Sequence, residues 1–181
     1  MRLFVAIPLA AEVKKQLASA CAPLKCDGDA LRWSAPDSWH ITLQFLGSTR
    51  EEQYACVIAG LQGISGAPVP VALDGLGCFD RAGVFFAGVQ VSPGLASLQQ
   101  SVATAMAPCG FAAEEREYHP HITLARAGRG DRRALLNLKM KLRSQPSFSR
   151  FVAREFCLYE SFLGPGGSKY VLRERFALDR A

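Results

Sequence analysis

Apolar residues fall into two rhythms along this chain, and the rhythms follow one another in the same order in each half. Leu3-Phe4-Val5-Ala6-Ile7 is a short unbroken apolar run of strand length, stopped by a turn at Pro8-Leu9-Ala10. From Ala11 to Leu24 the apolar positions Val13, Leu17 and Cys21 come four residues apart, on one face of a helix. Trp39 to Leu46 is rich in β-branched and aromatic residues, alternates at its centre and ends at Gly47-Ser48, which predicts a strand. The second half begins again with a strand over Val84 to Val89 and a helix start at Ser92-Pro93-Gly94. A helix over Leu95 to Met106, with Leu95, Leu98, Val102 and Met106 on one face, leads to a strand from His121 that stops at Gly128. The remaining segments read as helices over Glu51 to Leu61 and Asp131 to Leu142, and as strands over Val69 to Leu76, Phe148 to Glu160 and Tyr170 to Leu178.

A strand, helix, strand unit used twice predicts an α+β fold of two similar lobes related by a pseudo-twofold axis, with equivalent strands facing each other across a cleft. His40 and His121 lie 81 positions apart and Phe4 and Phe86 lie 82 apart, so the two halves keep nearly one register. The expectation is a single domain over residues 1–181, made of two intertwined lobes.

The chemistry is concentrated in two tetrapeptides, His40-Ile41-Thr42-Leu43 and His121-Ile122-Thr123-Leu124, which use two of only three histidines. A strand repeats its side-chain direction every two residues, so His and Thr of each copy share one face while Ile and Leu anchor the other. A lone strand histidine is usually structural. Two in matching apolar frames point to one site assembled from both halves. Imidazole titrates near neutrality, so one copy can remove a proton while the other supplies one. Thr42 and Thr123 are placed to donate to an anion between the histidines, and phosphate is the natural anion. This suits in-line displacement at phosphorus without a metal or other cofactor, since each His-x-Thr supplies one good metal ligand and no carboxylate lies inside either motif.

Composition narrows the picture further. With 181 residues, 49% hydrophobic and 20% charged, the chain is long enough to bury a substantial core. No apolar stretch approaches the roughly 20 residues of a membrane span, and the opening apolar run is too short for a signal peptide, so the expected setting is the cytoplasm. The formal net charge of +5 agrees with a polyanionic partner but is weak on its own. Arg126, Arg129, Arg132, Arg133, Lys139, Lys141 and Arg143 follow the second motif, where they either guide an RNA end or solvate a helix face. Strict alternation puts Arg126 on the face opposite His121, so its entry into the cleft requires a bulge or strand end near Ala125. His119 can share the face of His121 as a supporting residue, and Phe4, Trp39 and Phe45 are aromatic candidates for a base stack as well as for the core. Six cysteines without CxxC spacing support neither zinc nor a disulfide framework, and most are expected to be partly buried thiols.

These residues resemble a known family. The paired His-x-Thr-x motifs, the N-terminal Arg2-Leu3-Phe4-Val5-Ala6-Ile7, the run Trp39 to Gly47, and Tyr118-His119-Pro120-His121-Ile122-Thr123-Leu124-Ala125-Arg126 look like the 2H phosphoesterase superfamily. Within it they look like the bacterial RNA 2′,3′-cyclic phosphodiesterases, long called 2′-5′ RNA ligases. The resemblance implies a bilobal fold with an antiparallel sheet and flanking helices in each lobe, and both motifs lining the cleft between them. It implies metal-independent hydrolysis of a terminal 2′,3′-cyclic phosphate, on RNA ends that include tRNA-derived ones, to a 2′-phosphomonoester. By position His40 matches the family's proton donor to the leaving 3′ oxygen and His121 the acceptor that activates water. Thr42 and Thr123 match the phosphate-binding threonines, and Arg126 matches a substrate-contacting arginine. A monomer is expected, since two lobes in one chain already supply the symmetry of a dimer.

Other readings remain open at this stage. An enzyme of the same kind can act on linear 2′-5′ linkages or small cyclic nucleotides, or join RNA ends by the reverse reaction. A nucleotide- or RNA-binding module would use the histidines without turnover. A structural protein would hold them far apart or in separate cores.

Overall fold

The unbroken apolar run at the N-terminus becomes a strand covered on both faces. Leu3 to Ile7 are each at most 2% exposed, and strand β1 (Arg2–Pro8) lies inside its sheet rather than at an edge. The structure, a computed structural model, describes residues 1–26, 28, 30–128, 132–142, 145–164 and 167–179. After β1 come helix α1 (Ala11–Cys21), continued by a 3-10 turn over Ala22–Leu24, then β2 (Leu31–Trp33), β3 (His40–Ser48) and α2 (Glu51–Gln62). Next are β4 (Val69–Val71), β5 (Leu73–Phe79), β6 (Val84–Val89), α3 (Pro93–Met106) and β7 (His121–Ala127). The described chain closes with α4 (Arg132–Lys141), β8 (Phe151–Ala153), β9 (Glu155–Gly164) and β10 (Gly167–Ala177).

Two four-stranded antiparallel sheets carry the α+β fold, ordered β10-β9-β1-β3 and β2-β7-β6-β5, with β4 and β8 as a small separate pair. The sheets do not follow the halves of the chain. Strands β9 and β10 from the C-terminus complete the sheet of β1, while β2 from the first half crosses over to pair with β7. The helices bury the stripes their periodicity predicts: Val13, Leu17 and Cys21 on α1, and Leu95, Leu98, Val102 and Met106 on α3. At the start of α3 the Ser92 hydroxyl accepts from the Leu95 N–H at 3.2 Å with Pro93 in the first turn, which satisfies a donor the helix leaves unpaired.

Four expectations change. The strand expected over Val69 to Leu76 divides into β4 and β5, and the one over Phe148 to Glu160 divides into β8 and β9. In each case the apolar pattern runs on while the hydrogen-bond partner changes, so periodicity does not register the break. Strand β2 was not anticipated, since three residues are too few to show a period. The pairing register aligns the halves as Ile7 with Ala87, because Ile7 lies opposite Ile41 and Ala87 opposite Ile122. Phe4 therefore corresponds to Val84 and Ala6 to Phe86, two residues from the alignment the sequence suggested. A two-residue slip leaves every side chain on its original face, so alternation alone does not detect it. Helix α4 begins, in the described residues, at Arg132, and Asp131, Arg129 and Arg143 lie outside them.

Four of the six cysteines are thiols, as expected of most of them, with Cys21 and Cys157 buried, while Cys56 and Cys109 form a disulfide between α2 and the turn that follows α3. A separation of 53 residues carries no recognisable spacing. Closing a loop of that length restricts the unfolded chain, so Cys56→Ser is expected to lower the unfolding free energy by up to about 4 kcal/mol. Urea titration without reductant reads this loss, and the gap to the wild type should close when both are measured with dithiothreitol.

Candidate active site

Strands β3 and β7 carry the two motifs and repeat one pattern of exposure residue by residue. Along each, His is partly exposed, Ile buried, Thr partly exposed, Leu buried, the next residue buried and the one after it exposed. Ile41, Leu43, Ile122 and Leu124 anchor the strands in the core, so His40, Thr42, His121 and Thr123 stand on the open faces. The register shows why the pattern then shifts. Ala6 pairs with Thr42 and Val5 with Gln44, leaving Leu43 as an extra residue; Phe86 pairs with Thr123 and Phe85 with Ala125, leaving Leu124 in the same position. Each bulge reverses the alternation beyond it. The fifth residue after each histidine, Phe45 in one copy and Arg126 in the other, is thereby exposed. The bulge that Arg126 required is present.

The two strands pack against each other, β3 being the edge strand of its sheet. The segment before His121 is tied to β3 at two points: the Tyr118 hydroxyl donates to the Thr42 carbonyl at 3.0 Å, and the Gln44 side-chain amide donates to the Ala112 carbonyl at 3.2 Å. Burial raises the Tyr118 pKa well above the usual phenol range, so its hydroxyl keeps the proton for this bond. A cavity of about 680 Å³ opens beside the tie, lined by Thr42, Phe45, Phe79, Tyr118, His119 and His121.

Each imidazole is oriented by a backbone carbonyl two residues earlier. His40 Nδ1 lies 2.7 Å from the Ser38 oxygen and His121 Nδ1 lies 2.8 Å from the His119 oxygen. A carbonyl only accepts, so Nδ1 carries the hydrogen in both rings and Nε2 is left to take or give a proton. Aromatic rings brace the imidazoles. Phe4 and Tyr170 stand 4.7 and 5.1 Å from His40, and Phe79 and Phe86 stand 5.0 and 5.7 Å from His121. Burial lowers the His40 pKa from 6.5 to about 4; the Ser38 carbonyl opposes this, and the positive charges of His121 and Arg126 add to it. His40 therefore shares an electrostatic environment with both residues from the other motif.

Other predicted residues fall into place around this centre. The His119 side chain turns to Glu117 at 3.7 Å, and its contribution to the site is its carbonyl. Phe4 and Trp39 are core residues. Lys139 of the basic cluster is held by Asp80 at 2.6 Å, while Arg133 is exposed. Arg32, which the sequence reading passed over, stands directly opposite Arg126 in the β2–β7 pair, and both are exposed. Like charges placed opposite each other repel, and an anion between them removes the repulsion. Only the cross-strand register exposes this pair.

The chain is similar to known proteins along most of its length. The 2′-5′ RNA ligase superfamily profile matches residues 8–162. A protein of Escherichia coli K12 named RNA 2′,3′-cyclic phosphodiesterase is 32% identical over 181 residues, covering 98% of this chain and 96% of that protein. Its namesake from Geobacillus stearothermophilus is 31% identical over 133 residues, 71% of this chain but 42% of that protein's length. The crystal structure of E. coli LigT complexed with 3′-AMP superposes with a TM-score of 0.82 at 30% identity, covering 98% of this chain and 97% of that one.

Two measurements check the geometry. Tyr118→Phe removes one hydroxyl and with it the bond to the Thr42 carbonyl, with an expected loss of about 1 kcal/mol in urea unfolding. Imidazole resonances of His40 are expected to titrate near 4 in the free protein. The unfolded chain binds this proton more tightly than the folded one, so the group's contribution to stability is present above pH 6.5 and is lost as pH falls towards about 4.

Proposed function

This chain belongs to the 2′-5′ RNA ligase superfamily, and from that membership we propose that it is an RNA 2′,3′-cyclic phosphodiesterase that opens a terminal cyclic phosphate to a 2′-phosphomonoester. The single observation that carries the reading is the pair of carbonyl-oriented imidazoles, each with a free Nε2, on two strands that pack against each other. In this mechanism His121 Nε2 takes a proton from water as its oxygen attacks phosphorus. His40 gives its Nε2 proton to the departing 3′ oxygen, and the phosphate stays on the 2′ oxygen. Thr42 and Thr123 donate to the non-bridging oxygens, and Arg126, with Arg32 beside it, offsets the negative charge of the RNA.

His40 starts neutral, since burial holds its pKa near 4. An anionic phosphodiester seated against the ring favours the imidazolium and reverses that shift, so the donor gains its proton as the substrate binds. No metal enters this reaction: each strand brings one imidazole and one hydroxyl, a set suited to proton transfer and anion binding rather than to holding a cation. The same reading makes the protein a monomer, because one chain supplies both histidines. Among the described residues no helix is long and apolar enough to cross a membrane.

RNA ending in a 2′,3′-cyclic phosphate, incubated with the protein in EDTA, should yield a 2′-phosphate terminus by terminus-sensitive chromatography. His40→Ala and His121→Ala should each lower the rate by at least about 100-fold. Unchanged substrate at high enzyme concentration, or full activity in either variant, would reject the reading.

A further inference from the structure

We propose that the Cys56–Cys109 disulfide is a redox control on the active site, an inference that rests on the cyclic phosphodiesterase reading. Intact, the bond holds the start of the segment that walls the catalytic cavity; reduced, it frees that segment and weakens the hold on substrate. The segment runs from Gly110 to Pro120, between the 3-10 turn Ala107–Cys109 and β7, and contains neither helix nor strand. Every residue from Ala112 to Glu117 is exposed. A stretch this open is ordered mainly by what holds its ends. The site depends on that order: Glu114, Arg116, Glu117, Tyr118 and His119 line the cavity, the Tyr118 hydroxyl donates to the Thr42 carbonyl, and the His119 carbonyl orients His121.

The two ends are held differently. At the far end β7 pairs with β6, and the Val89 N–H donates to the Pro120 carbonyl at 3.1 Å. The near end is held at Cys109, by the disulfide and by the Gln53 side-chain amide, which donates to the Cys109 carbonyl at 2.9 Å. Both ties come from α2. The next turn of that helix confines the effect of reduction. A Cβ at Gly60 would lie 3.0 Å from the Ala105 carbonyl oxygen, so α2 and α3 stay closely packed there whether or not the sulfurs are joined. What loses its covalent hold is the chain after Cys109, which hydrogen bonds from Gln53 and Gln44 then keep in place.

The bond is open to exchange from one side. Cys56 is partly exposed and Cys109 is 7% exposed, so a dithiol reductant attacks at Cys56. Its first sulfur joins Cys56 Sγ and expels the Cys109 thiolate; its second sulfur then displaces Cys56 and closes the oxidised ring of the reductant. Two electrons and two protons pass from the dithiol to the protein. Cys21, Cys26, Cys78 and Cys157 are thiols already, so a reductant has one bond to break.

The test compares the oxidised protein with the same protein in dithiothreitol, on RNA ending in a 2′,3′-cyclic phosphate. Reduction should lower kcat/KM at least about fivefold, mainly through KM, the lower end of coupling between distinct sites. Removing the reductant and adding oxidised glutathione should restore the rate. Cys56→Ser should show the reduced enzyme's rate with or without dithiothreitol, at a temperature where circular dichroism finds it folded. A second readout does not depend on turnover: a glutamate-specific protease should cut after Glu114, Glu115 or Glu117 faster in the reduced protein. Equal rates in the two states would overturn the proposal, and so would a rate loss without faster cleavage in this segment. Faster cleavage and weaker 2′-AMP binding on reduction, with no RNA hydrolysed in either state, would defeat the phosphodiesterase reading and leave the redox control standing.

Discussion

Alternating burial along β3 and β7 is the constraint from which the site follows. A strand that buries Ile41 and Leu43, or Ile122 and Leu124, necessarily turns the intervening His and Thr to its other face. The apolar residues of each motif are thus as much part of the site as the polar ones, since they hold the histidines at one depth and in one direction. Packing β3 against β7 then brings Thr42 of one motif and His121 of the other to the wall of one cavity. The Tyr118 and Gln44 bonds secure that pairing across segments 76 and 68 residues apart in the chain.

A second layer of control is in the backbone. Each imidazole faces the carbonyl two residues before it, which leaves the same ring nitrogen available in both copies. The two rings therefore do not differ in tautomer. They differ in surroundings: His40 is enclosed by Phe4, Tyr159 and Tyr170, and burial lowers its pKa, whereas His121 borders the open cavity. Repeated sequence supplies two similar groups, and unequal burial makes them distinct. The same division of labour holds five residues on, where matching bulges present Phe45 in one copy and Arg126 in the other.

Much of the site was legible because its signals are local. A period of two, a period near four, Ser92-Pro93 at a helix start and a repeated His-x-Thr are each written in neighbouring residues. The β-branched and aromatic content of Trp39 to Leu46 identified a strand, and parity alone put His40 beside Thr42. The need for a bulge before Arg126 could also be stated from parity, although its position at Leu124 could not.

Other features depend on which distant segments hydrogen-bond, and a side-chain pattern does not encode a partner. That is why β4 and β5, or β8 and β9, read as single strands, why the halves were aligned two residues out, and why the short β2 with Arg32 went unseen. The Cys56–Cys109 bond and the burial that separates Phe45 from Phe4 and Trp39 belong to the same class. By itself the sequence determined which residues face together along each strand, because that depends on backbone geometry over a few residues. Only the tertiary structure decided which faces meet, which ring stays in water and which histidine loses its charge, because these depend on packing between segments far apart in the chain.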